Sequence, residues 1–557
     1  MVAGDKGMRV CSQRFKVIFI GLVLIFSFLS LQLVRLQLWL GADLEARAIK
    51  QQGHILTLDF PRGGIYDRNF VSLTGSQNQP VLAIFPTLVE DKGATARELA
   101  ALFGGEFADL HSCLKRGQPF TLTVKRVFPG LAVFDTGSFP GVFLLQRAKR
   151  YGEMALAQHL IGYIQGENGG GVAGLERHYD SHLRKGQGLD LMAWVDANGS
   201  IIPDLGLQQV LRGTEGKGDL VLTLDARVQR IVEEVMDEKV RAGAVVVVQV
   251  RTGEIMALAS RPNYCQDRIK EYLNNTDACL INRALRNYPP GSLFKIIVTA
   301  AALEEGLTQL DEDFYCGGFL EVGAEIFRCH RYQDGGHGPL DLTEAFAKSC
   351  NPIFISLAQR LGSVKLLNYA HRLGLGAAVL GLAEEMLGHL GPEAVYAGDL
   401  ANISLGQGSI LVTPLQIAQM TQAIANGGVY IPLQITRGDS PRGDAPTGRT
   451  VLSGTTVAAL ATALQRTVTD GTGTAAALSS WTSGGKTGTA ETGLKDANGQ
   501  AICHAWFAGF APLQAPLMAV VVLVEEGGSG SQVAAPVFRE ILQRIIAEIP
   551  VAELKYN

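Results

Sequence analysis

The chain has 557 residues, with 49 Lys plus Arg and 53 Asp plus Glu, so its formal net charge at pH 7 is −4. This length is too great for a single hydrophobic core and predicts about two to four domains. The near balance of charge excludes a strongly basic nucleic-acid-binding protein, and we expect no nucleic-acid partner. The 65 glycines are typical of a loop-rich α/β enzyme.

The first apolar segment runs from Val17 to Val34 and continues through Leu40. About 20 apolar residues are enough to cross a bilayer. Basic residues precede the segment, and the positive-inside rule then predicts a cytoplasmic N-terminus with the bulk of the chain outside. The alternative is a cleaved signal peptide, which would have about 7–15 apolar residues and a small-x-small cleavage site. Arg35 and Trp39 stand where that site would be, so we expect an uncleaved single-pass anchor.

Short alternating runs with glycine-rich turns fill the region from His54 to about Gly213. Such runs are typical of strands and predict an irregular β-rich domain with one short helix. The predicted strands are 81–85, 120–124 and 142–145, and the predicted helix is 94–102. Because buried charges are usually paired, three charged residues are interpreted as a structural ion-pair cluster. They are Arg62, Asp67 and Arg68.

The rest of the chain has predicted strands at both ends and helices between them. An amphipathic helix with Asp225 as its N-cap is followed by a hairpin whose first strand is apolar throughout. The predicted elements are the helix 226–240, strands 244–250, 254–259, 483–490, 505–510 and 517–524, and a closing helix 536–549. This order predicts an antiparallel sheet covered by helices on both faces.

Pro289, Pro290 and Gly291 interrupt the chain just before Ser292. The apolar run that follows, 296–303, predicts a buried helix. Lys295 lies one turn after Ser292, and a desolvated lysine has a lowered pKa, so its neutral amine can accept a proton. The pair predicts a serine nucleophile with a lysine base. The alternative is an N-cap serine with a lysine that extends to solvent.

Two further stretches favour the catalytic interpretation. Ser349-Cys350-Asn351 lies between two helix-like runs, where side chains can point into a cleft. Lys486-Thr487-Gly488-Thr489 opens a predicted hairpin. Its threonines favour a strand, and Gly488 is expected to leave room for a ligand alongside the backbone.

The order Ser-x-x-Lys, Ser-x-Asn, Lys-Thr-Gly resembles the signature of penicillin-binding proteins and serine β-lactamases. The stretch from Arg62 to Asn69 and the tripeptide Gly174-Leu175-Glu176 resemble the non-catalytic domain of class B penicillin-binding proteins, although Phe70 replaces a usual glycine. The resemblance implies an α+β protein with four parts. They are a cytoplasmic tail (1–16), a transmembrane helix (17–40), a pedestal or dimerisation domain (41–215) and a transpeptidase domain (216–557).

The resemblance also implies roles for individual residues. Ser292 would attack the D-Ala–D-Ala carbonyl of a peptidoglycan stem peptide, with Lys295 as base, and β-lactams would acylate the same oxygen. Ser349 would relay protons, Asn351 would bind the donor peptide and Lys486 would supply positive charge. Substrate binding is assigned to Thr487, Gly488 and Thr489, and the oxyanion hole to the backbone N–H groups of Ser292 and Thr489. No metal or organic cofactor is expected, and the expected protein partner is a membrane-embedded glycan polymerase.

The eight cysteines are less informative. Cys11 would be cytoplasmic, which leaves an odd number outside and so at least one free thiol. Two pairs are close enough in sequence to form disulfides, Cys265 with Cys279 and Cys316 with Cys329. Cys316, Cys329, His330 and His337 have side chains that suit zinc, but their spacing matches no standard zinc motif. Cys350 is interpreted as a small packing residue.

Three other functions compete with transpeptidation. A serine β-lactamase is usually a single domain of half this length, and no convincing Glu-x-x-x-Asn motif follows Ser349. A membrane β-lactam sensor should carry several spans or a cytoplasmic effector domain, whereas only about 16 residues precede the span. An inactive scaffold is disfavoured because all three motifs are intact.

Overall fold

A computed structural model describes residues 4–41, 44, 53–59, 62–124, 139–165, 169–195, 207–213, 217–274, 276–392, 395–437 and 447–554. Its helices are α1 (Gly4–Val34), α2 (Lys92–Phe103), α3 (Phe107–Arg116), α4 (Gln158–Ile161), α5 (Gly174–His178), α6 (Asp180–Leu183), α7 (Ala226–Lys239), α8 (Ile269–Tyr272), α9 (Lys295–Glu304), α10 (Leu342–Ala347), α11 (Asn351–Leu361), α12 (Ser363–Arg372), α13 (Ala397–Ser404), α14 (Pro414–Ala425), α15 (Gly454–Asp470), α16 (Ala535–Glu548) and α17 (Val551–Leu554).

Its strands are β1 (Gly53–Asp59), β2 (Ile65–Tyr66), β3 (Gln77–Ile84), β4 (Phe120–Thr123), β5 (Val142–Lys149), β6 (Ile164–Gln165), β7 (Gly170–Gly171), β8 (Gly188–Trp194), β9 (Leu207–Arg212), β10 (Leu220–Val221), β11 (Gly243–Gln249), β12 (Ile255–Arg261), β13 (Asp313–Cys316), β14 (Phe319–Val322), β15 (Glu325–Arg328), β16 (Gly338–Asp341), β17 (Val429–Tyr430), β18 (Arg449–Thr450), β19 (Gly484–Lys495), β20 (Ala501–Ala511) and β21 (Met518–Val524).

The N-terminal helix α1 continues through a π-helical turn, Arg35–Trp39. Within it, Phe15–Trp39 is 25 residues long with a mean hydropathy of 2.7, and none of its most apolar window is buried against protein. A helix of this length and composition can cross a bilayer. The expected apolar N-terminal helix is therefore present.

The chain forms two compact units, of which the first comprises 1–60, 78–148 and 188–213. It contains two three-stranded sheets, ordered β1-β8-β9 and β4-β3-β5. Strand β3 is buried on both faces: Leu82 and Ile84 pack in a cluster with α2 and α3, and Ala83 packs in another with β1 and β8. The β-rich pattern and α2 agree with the sequence prediction. Helix α3 was not predicted.

The second unit comprises 61–77, 149–187 and 214–557. Its centre is a five-stranded sheet in the order β12-β11-β21-β20-β19, and every neighbouring pair is antiparallel. Strands β11 and β21 are buried at every position because they carry apolar side chains on both faces. The sheet edge at β19 is where the Lys486 motif lies. The boundary predicted between residues 215 and 216 stays a prediction.

The two faces of this sheet bury separate clusters. Val246 and Val521 face a large cluster that includes α9, α11 and α14. Val245 and Val522 face a second cluster with α7 and α16. The alternation follows from the two-residue period of a strand. The predicted sheet with helices on both faces is confirmed, and α7 begins with Asp225 as the predicted N-cap.

The predicted Arg62 cluster is built around a carboxylate that the ion-pair prediction did not include. Glu176 is fully buried and accepts hydrogen bonds from Arg62 Nε (2.6 Å), Arg150 Nε (2.5 Å) and the Tyr151 hydroxyl (2.8 Å). Of the other two predicted members, Arg68 forms an ion pair with Glu254. Asp67 accepts backbone N–H groups at two sites, 69–71 and 226, and so ties the two segments together.

Glu176→Ala is expected to lower the free energy of unfolding by about 3–5 kcal/mol, because it removes the buried carboxylate that the Arg62 and Arg150 guanidinium groups share. Arg62 then keeps its ion pair with Asp180, whereas Arg150 loses the carboxylate with which it pairs among the described residues. The matched control is Asp470→Ala, which removes an exposed i,i+4 pair with Arg466 and should cost less than about 1 kcal/mol. Thermal unfolding of the two full-length variants in detergent measures both. Equal losses would contradict a buried carboxylate at 176.

Candidate active site

Ser292 lies in a 3₁₀ turn, Gly291–Phe294, directly before α9. The turn approaches β19 so closely that a Cβ on Gly291 would be 2.7 Å from the Thr489 carbonyl oxygen. Gly291 also has φ +55°, which favours glycine. Ser292 is the N-cap of neither the turn nor α9, so the interpretation of Ser292 as an N-cap residue is wrong.

The Ser292 side chain lines a cavity of about 660 Å³. Asn351 and Thr489 line the same cavity, so three residues from three distant motifs meet at one surface. This volume falls within the usual range of about 300–1,000 Å³ for ligand pockets. The cavity is therefore large enough for a peptide segment.

Lys295 is completely buried at the start of α9. Its Nζ donates to the Ser349 carbonyl oxygen (2.8 Å), to Ser349 Oγ (3.0 Å) and to Asn351 Oδ1 (2.7 Å). Burial lowers the pKa of Lys295 to about 7, against a smaller opposing effect of Cys350. The neutral amine is therefore accessible near neutral pH. The sequence predicted the burial and the lowered pKa, but not these hydrogen-bond partners.

Ser349 and Asn351 occupy the junction between α10 and α11, as predicted. Ser349 has φ +55°, a left-handed conformation that is rare for residues other than glycine. Asn351 is held from the other side, since its Nδ2 donates to the Arg328 carbonyl oxygen at 3.1 Å. Backbone strain of this kind clusters at functional sites, where surrounding contacts maintain it.

The strained conformation gives a stability prediction. Ser349→Gly is expected to have a free energy of unfolding about 1 kcal/mol higher than Ser349→Ala, because only glycine adopts this φ without steric cost. Both variants lack the hydroxyl, so the comparison isolates the backbone. Thermal unfolding measured side by side would give the opposite order if residue 349 were in an ordinary helical or extended conformation.

Strand β19 carries the Lys486 motif. Lys486 is completely buried, with its Nζ 3.4 Å from the Thr487 carbonyl oxygen and 5.6 Å from the centre of the Phe346 ring. Burial and, secondarily, repulsion from Lys295 hold the pKa of Lys486 well below its ordinary value. Both effects act against the charged form of Lys486, and its predicted role as a source of positive charge stays a prediction.

Gly488 packs closely against the turn that carries Ser292. A Cβ at this position would lie 3.0 Å from the Pro290 carbonyl oxygen and 3.2 Å from the Leu293 side chain. The space on this side of Gly488 thus accommodates the turn that carries Ser292, because the turn and the edge strand pack closely. Binding of a ligand along the backbone at Gly488 stays a prediction.

The two threonines of the motif have different surroundings. Thr487 is buried and its hydroxyl hydrogen-bonds the Thr472 hydroxyl at 2.6 Å. Thr489 lines the cavity, and its Oγ1 accepts the Gly530 N–H at 3.3 Å. Only Thr489 is thus positioned to meet a ligand directly.

Several polar residues of the cavity were not assigned a role from the sequence. They are Asn402, Gln407, Glu491, Thr492 and His504. The available signal was that Gly406-Gln407-Gly408 and His504-Ala505-Trp506-Phe507 resemble stretches of penicillin-binding proteins, whereas nothing local marks Asn402 or Glu491. The His504 Nδ1 accepts the Glu526 N–H at 3.2 Å, which leaves Nε2 protonated in the neutral ring.

Comparison with known proteins identifies the family. The chain matches the penicillin binding protein transpeptidase domain over residues 243–543 and the penicillin-binding protein dimerisation domain over residues 57–247. The first match covers more than half of the chain. The two matches identify the two kinds of domain that the resemblance implied.

Curated relatives extend the match to nearly full length. Stage V sporulation protein D of Bacillus subtilis is 30% identical, over 96% of this chain and 85% of that protein. Peptidoglycan D,D-transpeptidase MrdA of Acinetobacter baumannii is 28% identical, over 93% of this chain and 86% of that protein. Peptidoglycan D,D-transpeptidase FtsI of Escherichia coli is 29% identical, over 77% of this chain and 72% of that protein.

Solved structures share the fold. One similar chain comes from a peptidoglycan synthase complex that coordinates polymerization and crosslinking. Its TM-score is 0.73 and its identity is 26%, over 96% of this chain and 99% of that chain. A Helicobacter pylori penicillin-binding protein solved in complex with MreC has a TM-score of 0.70 over 91% of this chain and all of that chain, and its 23% identity speaks to the fold alone. The chain therefore belongs to the class B penicillin-binding proteins, and the resemblance stated from its motifs is confirmed.

Proposed function

We propose that this chain is a peptidoglycan D,D-transpeptidase that forms a serine acyl-enzyme on Ser292. The observation that carries the proposal is the buried Lys295 amine, which hydrogen-bonds Ser349 and Asn351 behind the cavity that Ser292 lines. Relatives named peptidoglycan D,D-transpeptidase support the substrate class. The substrate is a stem peptide ending in D-Ala–D-Ala.

Burial of Lys295 favours a neutral amine that can act as a base. Two of its neighbours, the Ser349 carbonyl oxygen and Asn351 Oδ1, can only accept hydrogen bonds. A neutral amine has two N–H donors for these two oxygens, and its lone pair can then accept the Ser349 hydroxyl, whose Oγ is 3.0 Å away. A lowered pKa and a free lone pair are the properties of a general base.

Acylation on these residues is balanced in atoms and charge. The Ser292 Oγ forms a bond to the penultimate D-Ala carbonyl carbon while Lys295 takes the hydroxyl proton. The amide C–N bond then breaks, and a proton passes from Lys295 through the Ser349 hydroxyl to the leaving nitrogen, which departs as D-alanine. An amine of a neighbouring stem peptide takes the acyl group, which forms a cross-link and frees Ser292.

Charge on the substrate is matched by groups on β19. The terminal carboxylate of the donor peptide would hydrogen-bond Thr489 and, with a shift of side chains, Thr487. A carboxylate in the site raises the pKa of Lys486 and so favours its charged form. The carbonyl oxygen would accept the backbone N–H groups of Ser292 and Thr489, a preorganised pair that lowers an acyl-transfer barrier by several kcal/mol.

The same proposal includes the setting of the enzyme. The apolar helix Phe15–Trp39 anchors the chain with its N-terminus in the cytoplasm and residues 41–557 outside, divided into a pedestal (41–215) and a transpeptidase domain (216–557). A membrane-embedded glycan polymerase is the expected partner, and the similarity to a chain from a complex that couples polymerization to crosslinking supports it. β-Lactams would react as mimics of the donor dipeptide.

A serine β-lactamase is the competing assignment, and the lifetime of the adduct separates the two. Full-length protein in detergent is labelled with fluorescent penicillin, freed of excess reagent and followed on gels. The proposal expects an adduct that persists for hours, together with D-alanine release from a synthetic stem peptide in the presence of an acceptor amine. Loss of the adduct within seconds, with no D-alanine released, would overturn it.

A further inference from the structure

Four metal-binding side chains converge next to Asn351. They are Cys316, Cys329, His337 and Cys350, and their ligand atoms all lie within 4.8 Å of one another. The three thiols are buried, and His337 is partly exposed. All seven cysteines whose side chains are described are unbridged, so neither disulfide considered from the sequence is formed.

This set corrects two sequence interpretations. The set weighed from the sequence contained His330, whereas the structure has Cys350 in its place. Cys350 was interpreted as a packing residue, yet its thiol joins two others and an imidazole. Sequence spacing failed to show this because Cys350 follows the other ligands by more than a dozen residues and a helix.

The spacing of the ligand atoms suits a tetrahedral ion. Zn–S bonds of about 2.3 Å put two thiolates of a tetrahedral site about 3.8 Å apart. The group needs to contract by less than about 1 Å to reach that geometry. The His337 Nδ1 is already 3.2 Å from Cys329 Sγ, and the Arg331 N–H points to the same sulfur at 3.5 Å. Soft thiolates with one imidazole select zinc over magnesium or calcium.

The local fold is built to bring these ligands together. Cys316 ends β13 and pairs in register with Gly338, the residue after His337. A Cβ on Gly336 would lie 2.2 Å from the Cys316 carbonyl oxygen, so only glycine permits the turn that presents His337. Cys329 follows β15, and its N–H donates to the Gly318 carbonyl oxygen at 2.7 Å.

We propose that Cys316, Cys329, His337 and Cys350 bind one Zn²⁺ ion in a closed structural site that holds the Ser349–Asn351 segment in place. Cys350 is the residue between Ser349 and Asn351, and Arg328, whose carbonyl oxygen accepts the Asn351 amide, is the neighbour of Cys329. The ion thus joins both sides of the segment. Binding displaces the thiol protons to solvent. The metal site stands without the proposed function, whereas its positioning role rests on it.

Metal content tests the site directly. Full-length protein purified in detergent under reducing conditions should contain one zinc per chain by mass spectrometry. Cobalt exchanged into it should show the visible absorption of a tetrahedral thiolate complex. Cys316→Ala should lose the metal, Cys316→Asp should keep it because aspartate is also a zinc ligand, and Cys279→Ala, a buried thiol outside the cluster, should be unchanged.

Metal uptake by the wild-type protein tests the zinc site even if a variant fails to fold. Wild-type protein that takes up neither zinc nor cobalt after reduction would overturn the proposal. A second experiment blocks free thiols with an alkylating reagent at lysis. A disulfide between two of these cysteines, in protein that holds no zinc, would also overturn the proposal.

The positioning role has its own readout. Removal of zinc with a chelator should slow penicillin acylation by about 10- to 100-fold, and added zinc should restore it. The Ser292→Ala variant should retain a full complement of zinc, so failure of the function assignment and failure of the metal assignment are distinguishable. An acylation rate that does not change when zinc is removed would refute the positioning role while leaving the metal site.

Discussion

Replacing Ser292 by alanine is expected to abolish covalent penicillin labelling, a loss of at least about 10⁴-fold in acylation rate, because the proposed acyl bond forms on the Ser292 Oγ. Ser292 is half-buried and makes no capping contact, so folding should be unaffected. The measurement is fluorescent penicillin labelling of full-length protein, with thermal unfolding recorded on the same sample.

Ser409→Ala is the matched control, since Ser409 is an exposed serine next to the cavity residue Gly408. Labelling of this variant should match the wild type. Labelling that survives in Ser292→Ala would show that the nucleophile is another residue, and unfolding of that variant would show that the Ser292 turn has a structural role that the contacts do not reveal.

Lys295→Met is expected to lower the acylation rate by about 10²- to 10⁴-fold, the usual contribution of a general base. Methionine has a similar length and can occupy the buried site. Lys365→Met, which removes a partly exposed lysine paired with Glu305, should leave acylation unchanged. Stopped-flow acylation by a chromogenic β-lactam measures all three proteins.

If Lys295 is the base, the acylation rate should rise with pH. The lowered pKa of Lys295, about 7, means that the amine is neutral above neutral pH and protonated below it. Only the neutral amine accepts the Ser292 proton, so the acylation rate should rise about tenfold per pH unit below about pH 7 and level off above about pH 8. A rate independent of pH from about 5 to 9, or a rate that falls as pH rises, would exclude Lys295 as the base.

The regular elements around the site followed from local sequence. The apolar run after Lys295 predicted α9, and the continuous apolar runs predicted β11 and β21, because burial on all sides requires an unbroken apolar surface. Helix α3 was missed although its pattern is amphipathic, with Leu110 and Leu114 buried four residues apart on one face, because the segment is only 10 residues long.

The residue types of the proposed active site, their order and the apolar N-terminal helix could be predicted from the sequence alone, since each depends on neighbours within a few positions. The contacts of the individual side chains depend on packing between segments that are distant in the sequence. Lys295 reaches partners 54 and 56 residues away, and Gly488 makes room for a turn nearly 200 residues earlier. Cys350 joins three ligands from the preceding hairpins. Hydrogen bonding and burial of a side chain depend on which distant segments fold against it, and local sequence does not carry that information.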